Sequence, residues 1–277
     1  MVDLLKTKTL PAALTSYDLL KALALILMVV DHIGYFFFPE DIWWRVVGRL
    51  CVPIWFFLIG YADTRAVPRL FWIVGAVVAV SGLVAGEYLF PLNIIFTLIL
   101  ARMSVDWLFV HALRNREAFA GMFFLLFLLS IPTLLVVEYG TLGLLFTLMG
   151  VLRRRRDMIS APGWMVPVFV AASMAGYILM QSMLLPTLSA AQFGVFLGGM
   201  IAVCLVLYRF QPRCFEAINV KRFPPVGVLQ IMGRRTLEIY ALHLIVLRGV
   251  ALAFHPERFR LFDFDVFAFA QVQALFF

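Results

Sequence analysis

The chain has 277 residues, of which 64% are hydrophobic and 14% charged, with a mean hydropathy of +0.98. That is too apolar for a soluble domain, and the helix-length apolar runs exclude an outer-membrane barrel of alternating strands. The net charge of +7 sits at the ends of apolar runs, where Lys and Arg orient helices, so it argues against a nucleic-acid partner.

A membrane crossing needs about 20 apolar residues. On that measure the sequence predicts nine helices, at 19–38, 45–62, 70–86, 91–113, 118–137, 139–152, 164–184, 192–208 and 236–254. The expected fold is all-α: a polytopic transmembrane bundle of about nine to ten helices forming one integral-membrane domain over 1–277. No small-residue cleavage pattern follows the first span, so no removed signal peptide is read. With a cytoplasmic N-terminus, nine crossings place Lys6, Lys8, Arg65, Arg69, Arg114, Arg116, the run Arg153 to Arg156 and the basic loop Arg209 to Arg235 on one side. The loops on the other side are nearly free of Lys and Arg, so the bias orients the bundle. The Arg153 to Arg156 run reads as a topology anchor. The apolar, aromatic tail 255–277 is expected either along the outer surface or as a tenth helix. Cys51, Cys204 and Cys214 have no metal-like spacing and read as structural, and no metal site is expected.

The informative residues are the polar ones inside apolar runs. Asp31 and His32 stand together in "ALILMVVDHIGYFFF", although an Asp at the centre of a membrane helix costs about 2.5 to 3.5 kcal/mol on insertion scales. On a helix, Lys21 and His32 share a face about 16 Å apart in rise, in a stripe with Asp18, Leu25, Met28 and Tyr35. Adjacent helical residues diverge, so Asp31 and His32 are expected to meet different partners on other helices. The second helix supplies Arg45 and Arg49 at matching depth. Arg45 reads as a side chain snorkelling at the interface, and Arg49 as an ion-pair partner of Asp31 or a functional group. In "GRRTLEIYALHLIVL", Thr236, Tyr240, His243 and Leu247 share a face, and His243 is either a second functional histidine or a bonded packing residue. His111 and His255 read as interfacial or solvated, and Glu87, Asn93 and Glu138 as helix limits.

An imidazole titrates near neutrality, so His32 could serve as a general base on a hydroxyl or amine. The sequence lacks the nucleophile-elbow pattern G-x-S-x-G and the zinc pattern H-E-x-x-H. Direct transfer between two bound substrates needs neither.

The runs D-L-L-K at Asp18 to Lys21, M-x-x-D-H-I-G at Met28 to Gly34 and G-R-L-x-x-P at Gly48 to Pro53 resemble the start of TraX-type proteins. That is the family of the F-pilin N-terminal acetylase. "LNIIFTLIL" and "RTLEIYALHL" extend the likeness. The chain also resembles the wider transmembrane acyltransferase superfamily, with Lys21 where a first-helix Arg precedes the essential His. The resemblance implies an acyltransferase of the bacterial inner membrane, multi-pass with its N-terminus cytoplasmic, using acetyl-CoA as donor and embedded in membrane lipid. The acceptor would be a pilin-like peptide or a glycan. In that reading His32 is the base, Asp31 and Arg49 orient it or support the acceptor site with Arg45, Lys21 lies towards the donor, and His243 and Tyr240 are supporting residues. The alternative is a proton-coupled transporter that uses Asp31 and His32 as a relay.

Overall fold

A computed structural model describes residues 13–156, 163–185, 188–219 and 225–268. Strand β1 (Ala13–Thr15) leads into α1 (Ser16–Phe37) through a capping box. The Thr15 hydroxyl accepts from the Asp18 amide at 3.1 Å, and the Thr15 amide donates to the Asp18 carboxylate at 3.1 Å. Helices α2 (Ile42–Gly48) and α3 (Cys51–Tyr61) together make one apolar pass of 20 residues. The break between them follows from Pro53, which has no N–H to return to the Arg49 carbonyl. The Tyr177 hydroxyl donates to that carbonyl instead, at 2.9 Å.

Helices α4 (Arg69–Val84), α5 (Ile94–Ala112), α6 (Arg116–Leu128), α7 (Ser130–Leu134), α8 (Leu142–Arg154), α9 (Met165–Leu184) and α10 (Ala190–Arg209) follow. Strand β2 (Cys214–Asn219), α11 (Pro225–Arg234) and α12 (Thr236–Phe254) complete the helical body. Among the described residues, six passes are long and apolar enough to cross a membrane: α1, α2 with α3, α5, α9, α10 and α12. The chain is a multi-pass membrane protein, and its described part is predominantly helical, as expected.

Besides the break within 45–62, three features differ from the sequence expectation. The apolar run 118–137 is not one helix: Pro132 cannot bond the Leu128 carbonyl, so α6 stops at Leu128 and α7 is a separate turn. The Arg209 to Arg235 stretch is not simply a loop, since β2 pairs antiparallel with β1, with Leu14 opposite Phe215, and α11 follows. In the tail, 255–268 forms no tenth helix. It folds back over the ends of α1 and α4, where the Phe262 amide bonds the Val84 carbonyl at 3.1 Å and Arg258 bonds the Tyr35 carbonyl at 3.0 Å. Phe259 packs there at 3% exposure. Residues 269–277, Lys6 and Lys8 lie outside the described residues.

At the arginine-rich end, three of the four arginines of the run latch neighbouring elements together. Arg153 bonds the Phe210 carbonyl at 3.0 Å, Arg154 pairs with Asp63, and Arg155 reaches Asp106 at 3.3 Å. Buried α3 and α8 pack most intimately, because the backbones meet at Gly60 and Gly150. A Cβ on Gly60 would collide with the Thr147 carbonyl. Gly60→Val is therefore expected to abolish recovery of folded protein in detergent, whereas Gly194→Val, where a Cβ meets nothing within 4 Å, leaves recovery and monodispersity unchanged.

Around the site, α1 packs against α12 and α3, α12 against α4, α4 against α5, and α5 against α3. These five helices close a ring.

Candidate active site

Asp31 sits on the α2 side of α1 and His32 about 100° round the helix, as expected for neighbours in sequence. The approach of α2 to α1 rests on two glycines: Gly34 lies against Trp44, and Gly48 lies against the backbone of Asp31. Both belong to the runs singled out in the sequence, which gives those glycines a packing reason. The close approach brings Arg45 to the Asp31 carboxylate at 2.8 Å and to its carbonyl at 3.2 Å. Arg49 faces the other carboxylate oxygen from 3.5 Å, beyond hydrogen-bond reach. Among the described residues, neither Asp31 Oδ1 nor Arg49 Nε has a hydrogen-bond partner.

Arg45 is thus the nearer partner of Asp31 and not an interface snorkel, which corrects the sequence expectation. The close approach of α2 to α1 lets the Arg45 guanidinium fold back onto α1. Arg49 donates to the Tyr139 hydroxyl and lies over the Tyr139 ring at 5.4 Å. Tyr139 and Gly140 turn with φ of +65° and +48°, which returns the chain from α7 to α8 and presents the phenol to Arg49. Both arginine side chains keep just under a fifth of their surface accessible, 18% and 19%.

His32 meets α12. Its Nδ1 lies 2.7 Å from His243 Nε2, with the two rings stacked at 5.0 Å. His243 Nδ1 lies 2.9 Å from the Ile239 carbonyl one turn earlier. A carbonyl only accepts, so His243 Nδ1 carries the hydrogen and, in the neutral ring, Nε2 is the acceptor. His32 Nδ1 is then the donor, and the lone pair of His32 is on Nε2. Tyr240 flanks both rings, 6.1 Å from His32 and 5.7 Å from His243. The structure therefore joins His32, His243 and Tyr240, and separately Asp31, Arg45 and Arg49. No hydrogen bond links Asp31 to His32 among the described residues. Lys21 stands near the other end of α1.

Residues read as helix limits also hold the site together. Asn93 caps α5 by accepting from the Ile95 amide at 3.2 Å, and Glu138 accepts from the Ile94 amide at 2.9 Å. Glu87 binds Arg248 of α12 at 3.1 and 2.6 Å, and Arg248 also donates to the Val78 carbonyl and the Ser81 hydroxyl. Gly82 leaves the space for that pair. Sequence reasoning missed Arg248 and Tyr139. The signal for Arg248 was present, a cation inside an apolar helix. Glu87→Gln is expected to lower stability by about 2 kcal/mol, since Arg248 keeps two other acceptors. Thermal unfolding in micelles would show the drop, with exposed Glu257→Gln unchanged.

His111 stacks on Trp107 at 4.2 Å on the exposed face of α5, and His255 pairs with Glu257 in the tail at 3.2 Å. Neither approaches the site.

The family model for TraX protein matches residues 16–251, which span the whole helical body from α1 to the last turn of α12. The chain belongs to the TraX family. It is also 27% identical over 143 residues to uncharacterized protein RP591 of Rickettsia prowazekii (strain Madrid E), a match covering 49% of this chain and 55% of that protein. The chain thus spans about half the length of that curated relative. No solved structure matches. The TraX match takes in Asp31, His32, Arg45, Arg49 and His243 alike.

Proposed function

We propose that this TraX-family chain is a membrane-embedded acyltransferase that moves an acetyl group from acetyl-CoA to an amine or hydroxyl acceptor. The acceptor is a pilin-like N-terminus or a cell-envelope glycan. The protein would lie in the bacterial inner membrane with its N-terminus cytoplasmic, which puts the arginine-rich end on the side of the acyl-CoA pool. Membership of the family that includes the F-pilin N-terminal acetylase supports the reaction class.

The observation that carries the reading is the hydrogen-bonded chain from the Ile239 carbonyl through His243 to His32. It fixes one tautomer of His32 and leaves Nε2 as a base, the arrangement in which a second group orients a catalytic imidazole. In the proposed step the acceptor nitrogen or oxygen attacks the thioester carbonyl while His32 Nε2 takes its proton. The new C–N or C–O bond forms, the C–S bond breaks, and the departing thiolate takes the proton from the imidazolium. The products are the acetylated acceptor and free CoA thiol. His243 acts as a positioning residue through His32. Arg45 and Arg49, held by Asp31 and Tyr139, line the acceptor side, and Lys21 lies towards the donor.

The test uses the purified protein in nanodiscs. Saturable acetyl-CoA binding and thiol release that depends on an added peptide amine or glycan are expected. A folded sample that binds no acetyl-CoA would overturn the reading.

A further inference from the structure

Two tyrosine hydroxyls beside the site are engaged: Tyr139 accepts from Arg49, and Tyr177 donates to the Arg49 carbonyl at 2.9 Å. Tyr240 differs. It is 4% exposed and touches both imidazoles, with its ring 6.1 Å from His32 and 5.7 Å from His243. Yet among the described residues its hydroxyl makes no hydrogen bond. A buried phenol without a partner lowers stability, and Phe would fill the same space without that cost. Packing alone therefore does not account for the hydroxyl.

Its direction follows from α12, which meets α1 through His243 and α4 through Arg248. At 3.6 residues per turn, Tyr240 lies between the two, about 60° round the helix from His243 and about 80° from Arg248. It therefore points into the five-helix ring. Tyr240 also stands one turn before His243, towards the start of α12, and helical side chains lean that way. That start follows Arg234, which holds Asp18 in the first turn of α1 at 3.2 Å. The phenol thus lies on the arginine-rich side of the histidine pair, the side from which the donor comes in the acyltransferase reading.

We propose that the Tyr240 hydroxyl donates a hydrogen bond to the thioester carbonyl of the acyl donor and stabilises the negative charge that gathers on that oxygen. The proposal rests on the acyltransferase reading and deepens it by naming the group that meets the reacting carbonyl. As the acceptor attacks and His32 Nε2 takes its proton, the carbonyl π electrons move onto oxygen, where Tyr240 holds them without giving up its own proton. Collapse re-forms the carbonyl and breaks the C–S bond, and the thiolate takes the proton from the imidazolium. A donor aimed at an oxyanion in a site shut off from water acts on the transition state more than on the ground state.

The experiment follows acetyl transfer and thermal unfolding of the full chain in nanodiscs, with acetyl-CoA as donor and hydroxylamine as a small nucleophile that needs no acceptor site. Tyr240→Phe should lower kcat by about 10² to 10³-fold and leave KM for acetyl-CoA within about twofold of wild type. Its unfolding midpoint should equal or exceed that of wild type, whereas Tyr177→Phe, which removes a hydroxyl that has a partner, should unfold earlier. Folded Tyr240→Phe at the wild-type kcat overturns the assignment, as does a raised KM with kcat unchanged. A fall in kcat accompanied by an equal loss of stability to that of Tyr177→Phe makes the hydroxyl structural and overturns it too. If Tyr240→Phe fails to fold, Tyr240→Gln and Tyr240→Leu decide: Gln keeps an N–H donor and should transfer at least about tenfold faster, and equal rates overturn the assignment. Folded wild type that transfers no acetyl group to hydroxylamine, peptide or glycan overturns the acyltransferase reading and this role together, while an active wild type matched by Tyr240→Phe overturns this role alone.

Discussion

His32→Ala should leave the protein folded and in the membrane while lowering acceptor-dependent CoA release by about 10² to 10⁴-fold, the usual contribution of a general base. His32 is half-buried on α1 and, among the described residues, hydrogen-bonds His243 alone, so its removal leaves one neutral imidazole Nε2 to be satisfied and little else. His243→Ala removes the acceptor for His32 Nδ1, frees the ring to turn and to exchange tautomers, and should lower kcat more than it raises KM. His243→Gln offers a carbonyl oxygen at similar reach and should recover part of the rate. A purely packing role for His243 predicts the reverse order, with the bulkier apolar His243→Leu tolerated best. Acetyl transfer at the wild-type rate in folded His32→Ala would sink the assignment of the base.

Much of the architecture was legible because a membrane span imposes length and apolarity together. The limits of α9, α10 and α12 fall within two residues of those read from run length. What run length missed was the interruption inside an apolar stretch. Pro132 breaks 118–137 without any change in hydropathy, and Pro53 does the same between α2 and α3 while freeing the Arg49 carbonyl for Tyr177. The site was legible in part for a different reason. An Asp, a His or an Arg inside hydrocarbon demands a partner, so Asp31, His32, Arg49 and His243 stood out one by one. Their pairing did not, because His32 and His243 are 211 positions apart and meet only through the packing of α1 on α12. The choice of Arg45 as the nearer partner of Asp31 likewise depends on Gly34 and Gly48, which set how closely α2 approaches α1.

Asp31→Asn should be the most destabilising single substitution of a polar residue in the site. Asp31 is 5% exposed and is the carboxylate facing both Arg45 and Arg49. Removing its charge while keeping its shape leaves two guanidinium groups repelling each other at the α1–α2 junction. Loss of one partner from a buried pair costs about 3 to 5 kcal/mol, and the partial accessibility of the two arginines favours the lower figure. The double variant Asp31→Asn with Arg45→Gln restores the local charge balance and should regain much of that loss, a coupling that a double-mutant cycle in micelles would measure. The same pair separates structure from chemistry. If the double variant is stable and transfers acetyl groups at near the wild-type rate, Asp31 serves to hold α2 against α1. A stable double variant that has lost transfer means instead that the Asp31 carboxylate, whose Oδ1 has no donor, acts on the acceptor itself.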